Sequence, residues 1–289
     1  MAIRGPVALY NRQPDPADRP QMLIANARMY NSAGPAAKAA WRDVLGWIVA
    51  RAGVPMQVTD HDPPAQLSDL WARPDLGAAM MCGLPMALRA TRPTLVAAPV
   101  PSPARYGGRP VYFSDILVPA ASRAERLEDT FGGTVGFTLE DSMSGCVALR
   151  VLLERHRTPA RPRLYANVIG NLVHVRGMVE AVSSGRVDVG SADSYVMDLL
   201  RKHDPAFVSG VRVIGTTDAA PIPPFVATAA LDAASLERLR GAFRDAGRAP
   251  ELAAARAEVL VADFVTPDAS AYDVFHRIHA ESERHPGVW

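Results

Sequence analysis

The sequence is poor in cysteine and lysine and has no long apolar run. Its two cysteines, Cys82 and Cys146, lie far apart in different segments. They form no CxxC pair and cannot alone make a zinc set, so they read as free buried thiols. Only Lys38 and Lys202 are lysines; every other strong base is an arginine. With abundant alanine and proline, this is the bias expected of a GC-rich bacterium. No stretch approaches the ~20 apolar residues of a membrane span. Residues 1–20 lack the roughly 7–15-residue apolar core of a secretory signal and read as a flexible leader.

The stronger enzyme signatures are missing too. There is no G-x-S-x-G elbow, because Ser142 rather than glycine stands two before Ser144. There is no G-x-x-x-x-G-K-[ST] loop and no H-E-x-x-H. His276 and His279 lie three apart on an expected helix, with His285 beyond, but no Cys or Glu completes a metal pattern. They read as a solvated face, and Asp60-His61-Asp62, in a proline-rich loop, reads as surface. Neither metal nor cofactor is expected.

A large charge of one sign is also lacking. The formal net charge is +1, which argues against nucleic acid or an anionic membrane as the main partner. Any anion recognition must be local. With 48% hydrophobic and 21% charged residues, the 289-residue chain can bury a sizeable core.

Strands and helices alternate along the first two thirds, the α/β signature. Extended runs are expected at 22–27, 54–58, 76–81, 95–100, 111–118, 134–138, 164–168, 187–190, 211–216 and 225–228. Between them, Trp41, Val44, Leu45 and Ile48 recur at helical spacing after Gly34-Pro35. A helix is expected over 142–154, and Val175, Met178, Val179 and Val182 mark another, ended by Gly185. After residue 228 the chain reads as mainly helical, with helices over 233–246 and 270–283. Proline-rich breaks at 99–110 and 219–224 divide it into three pieces. The economical fold is two lobes, one discontinuous (21–111 plus 222–289) and one inserted (112–221), joined by a hinge across a cleft.

Three βα turns are candidates for ligand contact. Asp141-Ser142-Met143-Ser144-Gly145 follows one expected strand and opens a helix. The first amides of a helix have no internal acceptor and attract anions. Ser142 and Ser144 add hydroxyl donors, and Gly145 permits close approach. The same segment also suits a plain helix cap at Asp141 or Ser142. Cys82-Gly83-Leu84-Pro85 is built similarly, and Tyr30-Asn31-Ser32 follows the first strand. His174 opens the helix Val175 to Val182, as an anion donor, a cap or a solvent-facing group. Asp193 is placed to meet an ammonium or hydroxyl, or to cap the next helix.

Three segments resemble the phosphate/phosphite/phosphonate-type substrate-binding proteins of ABC transporters. They are Gly133 to Gly145, with its strand, Ser-x-Ser-Gly turn and helix; His174 to Asp193, through Ala181-Val182, Gly185 and Asp188-Val189; and Pro221 to Val226. The resemblance spans about residues 21–265. It implies a two-lobed α/β fold of the type 2 periplasmic-binding-protein kind, with a hinge and an interlobe cleft. Ser142, Ser144 and Gly145 would hold an anionic head, Asp193 an amine or hydroxyl, and Tyr30 would line the other lobe. The family's histidine lies ten residues before the glycine matching Gly185. Here Val175 takes that place and His174 precedes it. The implied partners are a small anionic ligand and an ABC permease, and the implied location is periplasmic; the lack of a visible signal leaves a cytoplasmic location open. The alternative is a cytoplasmic enzyme or ligand sensor on the same fold, with Asp193 and His174 as its acid or base.

Overall fold

The computed structural model describes residues 22–31, 33–62, 65–229 and 231–289. The leader expected over 1–20, and Ser32, lie outside them. The chain begins with β1 (Leu23–Asn26), α1 (Pro35–Ala52), β2 (Met56–Val58), α2 (Leu67–Trp71), β3 (Leu76–Met80), α3 (Gly83–Ala87) and β4 (Thr94–Pro101). Trp41, Val44, Leu45 and Ile48 of α1 are all buried, as their spacing requires. Every residue of β1 and β3 is buried, which fits strands covered on both faces.

The chain then crosses through β5 (Val111–Tyr112) into a second lobe. That lobe contains β6 (Ser114–Pro119), β7 (Thr134–Gly136), a π-helical turn (Met143–Val147) running into α4 (Ala148–Glu154), β8 (Asn167–Ile169), α5 (Val175–Ser183), β9 (Val189–Asp193), α6 (Ser194–His203), α7 (Pro205–Val208) and β10 (Val211–Thr216). It returns through β11 (Ala220–Pro221) to β12 (Phe225–Ala227), α8 (Ala233–Arg248), α9 (Ala253–Glu258), β13 (Val261–Val265) and α10 (Val274–Ser282).

One sheet has the order β13-β4-β12-β3-β1-β2 and the other β10-β6-β9-β7-β8. The crossings β5 and β11 pair with each other as a short antiparallel ribbon between them, Tyr112 opposite Ala220. In the first sheet β1 runs parallel to β2 and β3, and in the second β7 runs parallel to β8 and β9. The loops after β1, β2, β7, β8 and β9 therefore open where the two lobes face each other.

Several elements depart from their expected bounds for visible reasons. The extended run at 111–118 breaks at Phe113, because β5 belongs to the ribbon and β6 to the second sheet. The strand expected over 164–168 sits at β8, because Leu164 and Tyr165 are buried and both donate their amides to the Trp289 carbonyl. The strand expected over 187–190 runs on to Asp193. β13 lies in a stretch that reads as helical and pairs antiparallel with β4. The helix expected over 270–283 is a 3₁₀ turn (Ala269–Asp273) followed by α10.

The last residues touch both lobes. Phe275 of α10 is buried against α3, so close that a Cβ on Gly83 would lie 2.4 Å from its ring. Trp289 stacks on Phe137 of the second lobe, with centroids 5.2 Å apart and planes 4° from parallel.

Candidate functional site

A cavity of about 1070 Å³ lies between the lobes. Lobe one contributes Arg28, Tyr30, Asn31, Asp62 and Gln66. Lobe two contributes Thr138, Ser142, Ser144, Gly145, Asn171, the start of α5 from His174, and Asp193. Of the residues singled out in sequence, Tyr30, Asn31, Ser142, Ser144, Gly145, His174, Val175 and Asp193 meet in this one cavity. Cys82, Gly83 and Met143 do not line it. Gly83 is filled in by Phe275. Cys82 is buried, and its sulfur lies against the backbone amides of Leu84 and Met143. Met143 is itself buried in the core.

The turn after β7 combines a cap with free donors. Ser142 Oγ accepts the Gly145 amide at 3.2 Å, so the capping role is real. The Cys146 and Val147 amides both close on the Ser142 carbonyl, and the latter makes the first turn π-helical. That leaves the Ser144 amide without an acceptor among the described residues, while Ser142 keeps its hydroxyl proton to donate. A Cβ on Gly145 would come within 1.9 Å of Thr138 Oγ1. Glycine is thus required there by the packing of the turn on the end of β7.

His174 caps α5, its Nδ1 accepting the Gly177 amide at 3.0 Å. A neutral ring that accepts at Nδ1 carries its proton on Nε2, so Nε2–H is the donor left to meet a ligand. Just before it, Asn171 and Val173 hold left-handed backbone at φ 56 and 65. For a β-branched residue this is strained, and it sits in the loop that aims His174.

Asp193 caps α6. Its Oδ1 accepts the amides of Tyr195 at 2.9 Å and Val196 at 3.0 Å, and its Oδ2 lies 3.4 Å from the Tyr30 hydroxyl of the other lobe. Burial pushes its pKa up to about 7, against the pull of those two amides and the hydroxyl. Tyr30 also meets Tyr195 edge-on, with centroids 4.7 Å apart. Arg176 donates across the cleft to the Ala33 carbonyl at 3.3 Å and pairs with Asp204 at 2.9 Å.

Sequence reading missed Arg28, Gln66, Asn171, Arg176 and Arg186 in this lining. A single arginine in a loop leaves no spacing signature. The nearest available signal was position, since Arg28 lies two residues before Tyr30. Asp62, read as surface, is on the rim and tied to Lys38 at 2.5 Å. His276 and His285 are engaged separately, by Arg92 and Glu154.

Two α/β lobes joined by paired crossings, with helix starts and strand ends facing a cleft, define a two-lobed binding protein. The sequence profile for the periplasmic substrate-binding proteins of phosphonate ABC transporters matches residues 33–272, and the chain belongs to that family. The family is a transport component rather than an enzyme. Among solved structures, the chain is similar to a binding protein component of an ABC phosphonate transporter from Pseudomonas aeruginosa, 18% identical, with a TM-score of 0.72 over 91% of this chain and 87% of that one. It is similar to a Prochlorococcus marinus protein in complex with methylphosphonate, 14% identical, with a TM-score of 0.70 over 90% and 97%. It is similar as well to a Xanthomonas citri protein bound to ATP, 19% identical, with a TM-score of 0.61 over 91% and 97%. No curated protein matches it. Among the described residues, no helix is long and apolar enough to cross a membrane.

Proposed function

We propose that this chain captures a small oxyanion, a phosphonate or phosphate-like compound, in the interlobe cavity and presents it to an ABC permease from the periplasmic side. Ser142, Ser144 and the open amide of the π-helical turn take the anionic head, with His174 Nε2–H as a further donor. Asp193 receives a hydroxyl or ammonium on the ligand, and Tyr30 closes over it from the first lobe. The lobes in this reading are 21–111 plus 222–289 and 112–221, with the last residues reaching across. The observation that carries the reading is the Ser144 amide, without an acceptor among the described residues, in a turn that lines a cavity whose opposite wall is the other lobe.

A thermal-shift panel of phosphate, phosphite, alkylphosphonates and sulfonates tests it. A binder present at about 100 times its Kd raises stability by roughly 2.7 kcal/mol. Stabilisation by at least one phosphonate, abolished by S144P, which removes the amide hydrogen, is the expected result. A flat panel at saturating concentrations rejects the oxyanion.

A further inference from the structure

The cavity has more room and more cationic charge than one small head group uses. At about 1070 Å³ it reaches the upper end of sites that hold drug-sized ligands. α5 runs along its wall for nine residues, about 13 Å, from His174 to a point just before Arg186. The head-binding turn therefore occupies only part of the wall.

Arg28, contributed by the lobe opposite that turn, is the unusual group in the lining. It lies at the end of β1, lines the cavity and is about half buried. Its guanidinium has no hydrogen-bond or ion-pair partner among the described residues, and its Nε is fully buried and unsatisfied. Arg150, Arg157 and Arg240 also bury an Nε without a hydrogen bond, but each has a charged or polar partner: Arg150 pairs with Glu283 over the Trp289 ring, Arg157 pairs with Glu154, and Arg240 bonds Glu237 and the Leu95 carbonyl. Burial lowers the Arg28 pKa, and the charge of Asp62 offsets this in part. Asp62 itself is committed to Lys38, and Arg176 is committed to Asp204 and Ala33. Glu180, exposed on α5, and Arg186, beyond the end of that helix, also line the cavity. A half-buried guanidinium with no partner is costly and is normally answered by an anion.

We propose that the ligand carries a second anionic group, such as a carboxylate, at the end away from its phosphoryl head, and that Arg28 selects for it. Arg28 is then a specificity-determining residue. This rests on the oxyanion reading of the Ser142–Ser144 turn and deepens it.

Calorimetric titration with two matched series decides the matter: ω-carboxyalkylphosphonates of increasing chain length, and unbranched alkylphosphonates of the same lengths. The expected result is that at least one carboxylated member binds about tenfold or more tightly than its alkyl match, the scale of a charge-assisted contact. R28Q brings the ratio for that pair close to one, and R28K, which keeps the charge without the fork, gives an intermediate ratio. Equal affinity of every pair in the wild type overturns the proposal while leaving the oxyanion reading intact. A preference that survives R28Q overturns the assignment to Arg28. If neither series binds, the oxyanion reading itself falls and takes this one with it.

Discussion

Asp193 accepts two amides through one oxygen and faces a hydroxyl with the other, yet burial still disfavours its charge. Its pKa of about 7 stands above the ordinary 3.8. A carboxyl raised in this way binds its proton more tightly folded than unfolded. Its stabilising contribution is therefore fully present below about pH 4 and is lost as pH rises through about 7. The full shift corresponds to roughly 4 kcal/mol. Asn at this position keeps an acceptor for the two amides and removes the buried charge. D193N is thus expected to match the ligand-free wild type near pH 4 and to melt higher than it at pH 8. Melting temperature against pH for the two proteins checks this, and parallel curves would contradict it. The same substitution weakens any ligand that offers an ammonium, so stability and binding move in opposite directions at this residue.

At the scale of elements, α5 combines capping and recognition in one ring. His174 Nδ1 holds the Gly177 amide while Nε2–H is left over, and the strained Asn171–Val173 backbone sets the ring's position. H174N and H174A separate the two tasks. Asn is a strong cap, so H174N should stay within a few tenths of a kcal/mol of wild type, while H174A loses about 1 kcal/mol. Both should lose about tenfold in phosphonate affinity if Nε2–H touches the head. Wild-type affinity in H174N would remove the ring from the site. Much of this was legible in the sequence. The Ser142-Met143-Ser144-Gly145 turn, the opening of α5 at His174 and the cap at Asp193 all follow strands and precede apolar-periodic helices, a local pattern. Cys82-Gly83 has the same local pattern but another fate, because Phe275, some 190 residues later, packs onto it. β13 was missed for a related reason, since its pairing with β4 is a long-range contact. Arg28 was missed because its role depends on lacking partners, which only the assembled cleft reveals.

At the scale of the whole molecule, the lobes share more than the β5–β11 ribbon. Tyr30 meets Asp193 and Tyr195 across the cleft, His203 Nε2 bonds the Glu258 carbonyl at 2.8 Å, and residues 273–289 bridge both lobes. On one side Phe275 packs under α3, and Arg92 holds Asp273 at 2.7 Å. On the other, Trp289 stacks on Phe137 beneath the Arg150 guanidinium, and His285 lies 2.9 Å from Glu154. Rotation about the ribbon moves α3 relative to α4, so opening must loosen one end of this bridge. A bridge seated at both ends is expected to favour the arrangement in which both contacts are made, even before ligand arrives. W289A removes the stacked ring and should cost roughly 3–5 kcal/mol of stability. It should also shift the ligand-free population towards open forms, which lowers apparent affinity by the fraction no longer competent to bind. Small-angle scattering should then give a larger radius of gyration for ligand-free W289A than for ligand-free wild type. The two should converge when the tightest-binding phosphonate of the panel is added. Equal radii without ligand, alongside a loss of stability, would mean that Trp289 holds only the second lobe together and places no restraint on the hinge.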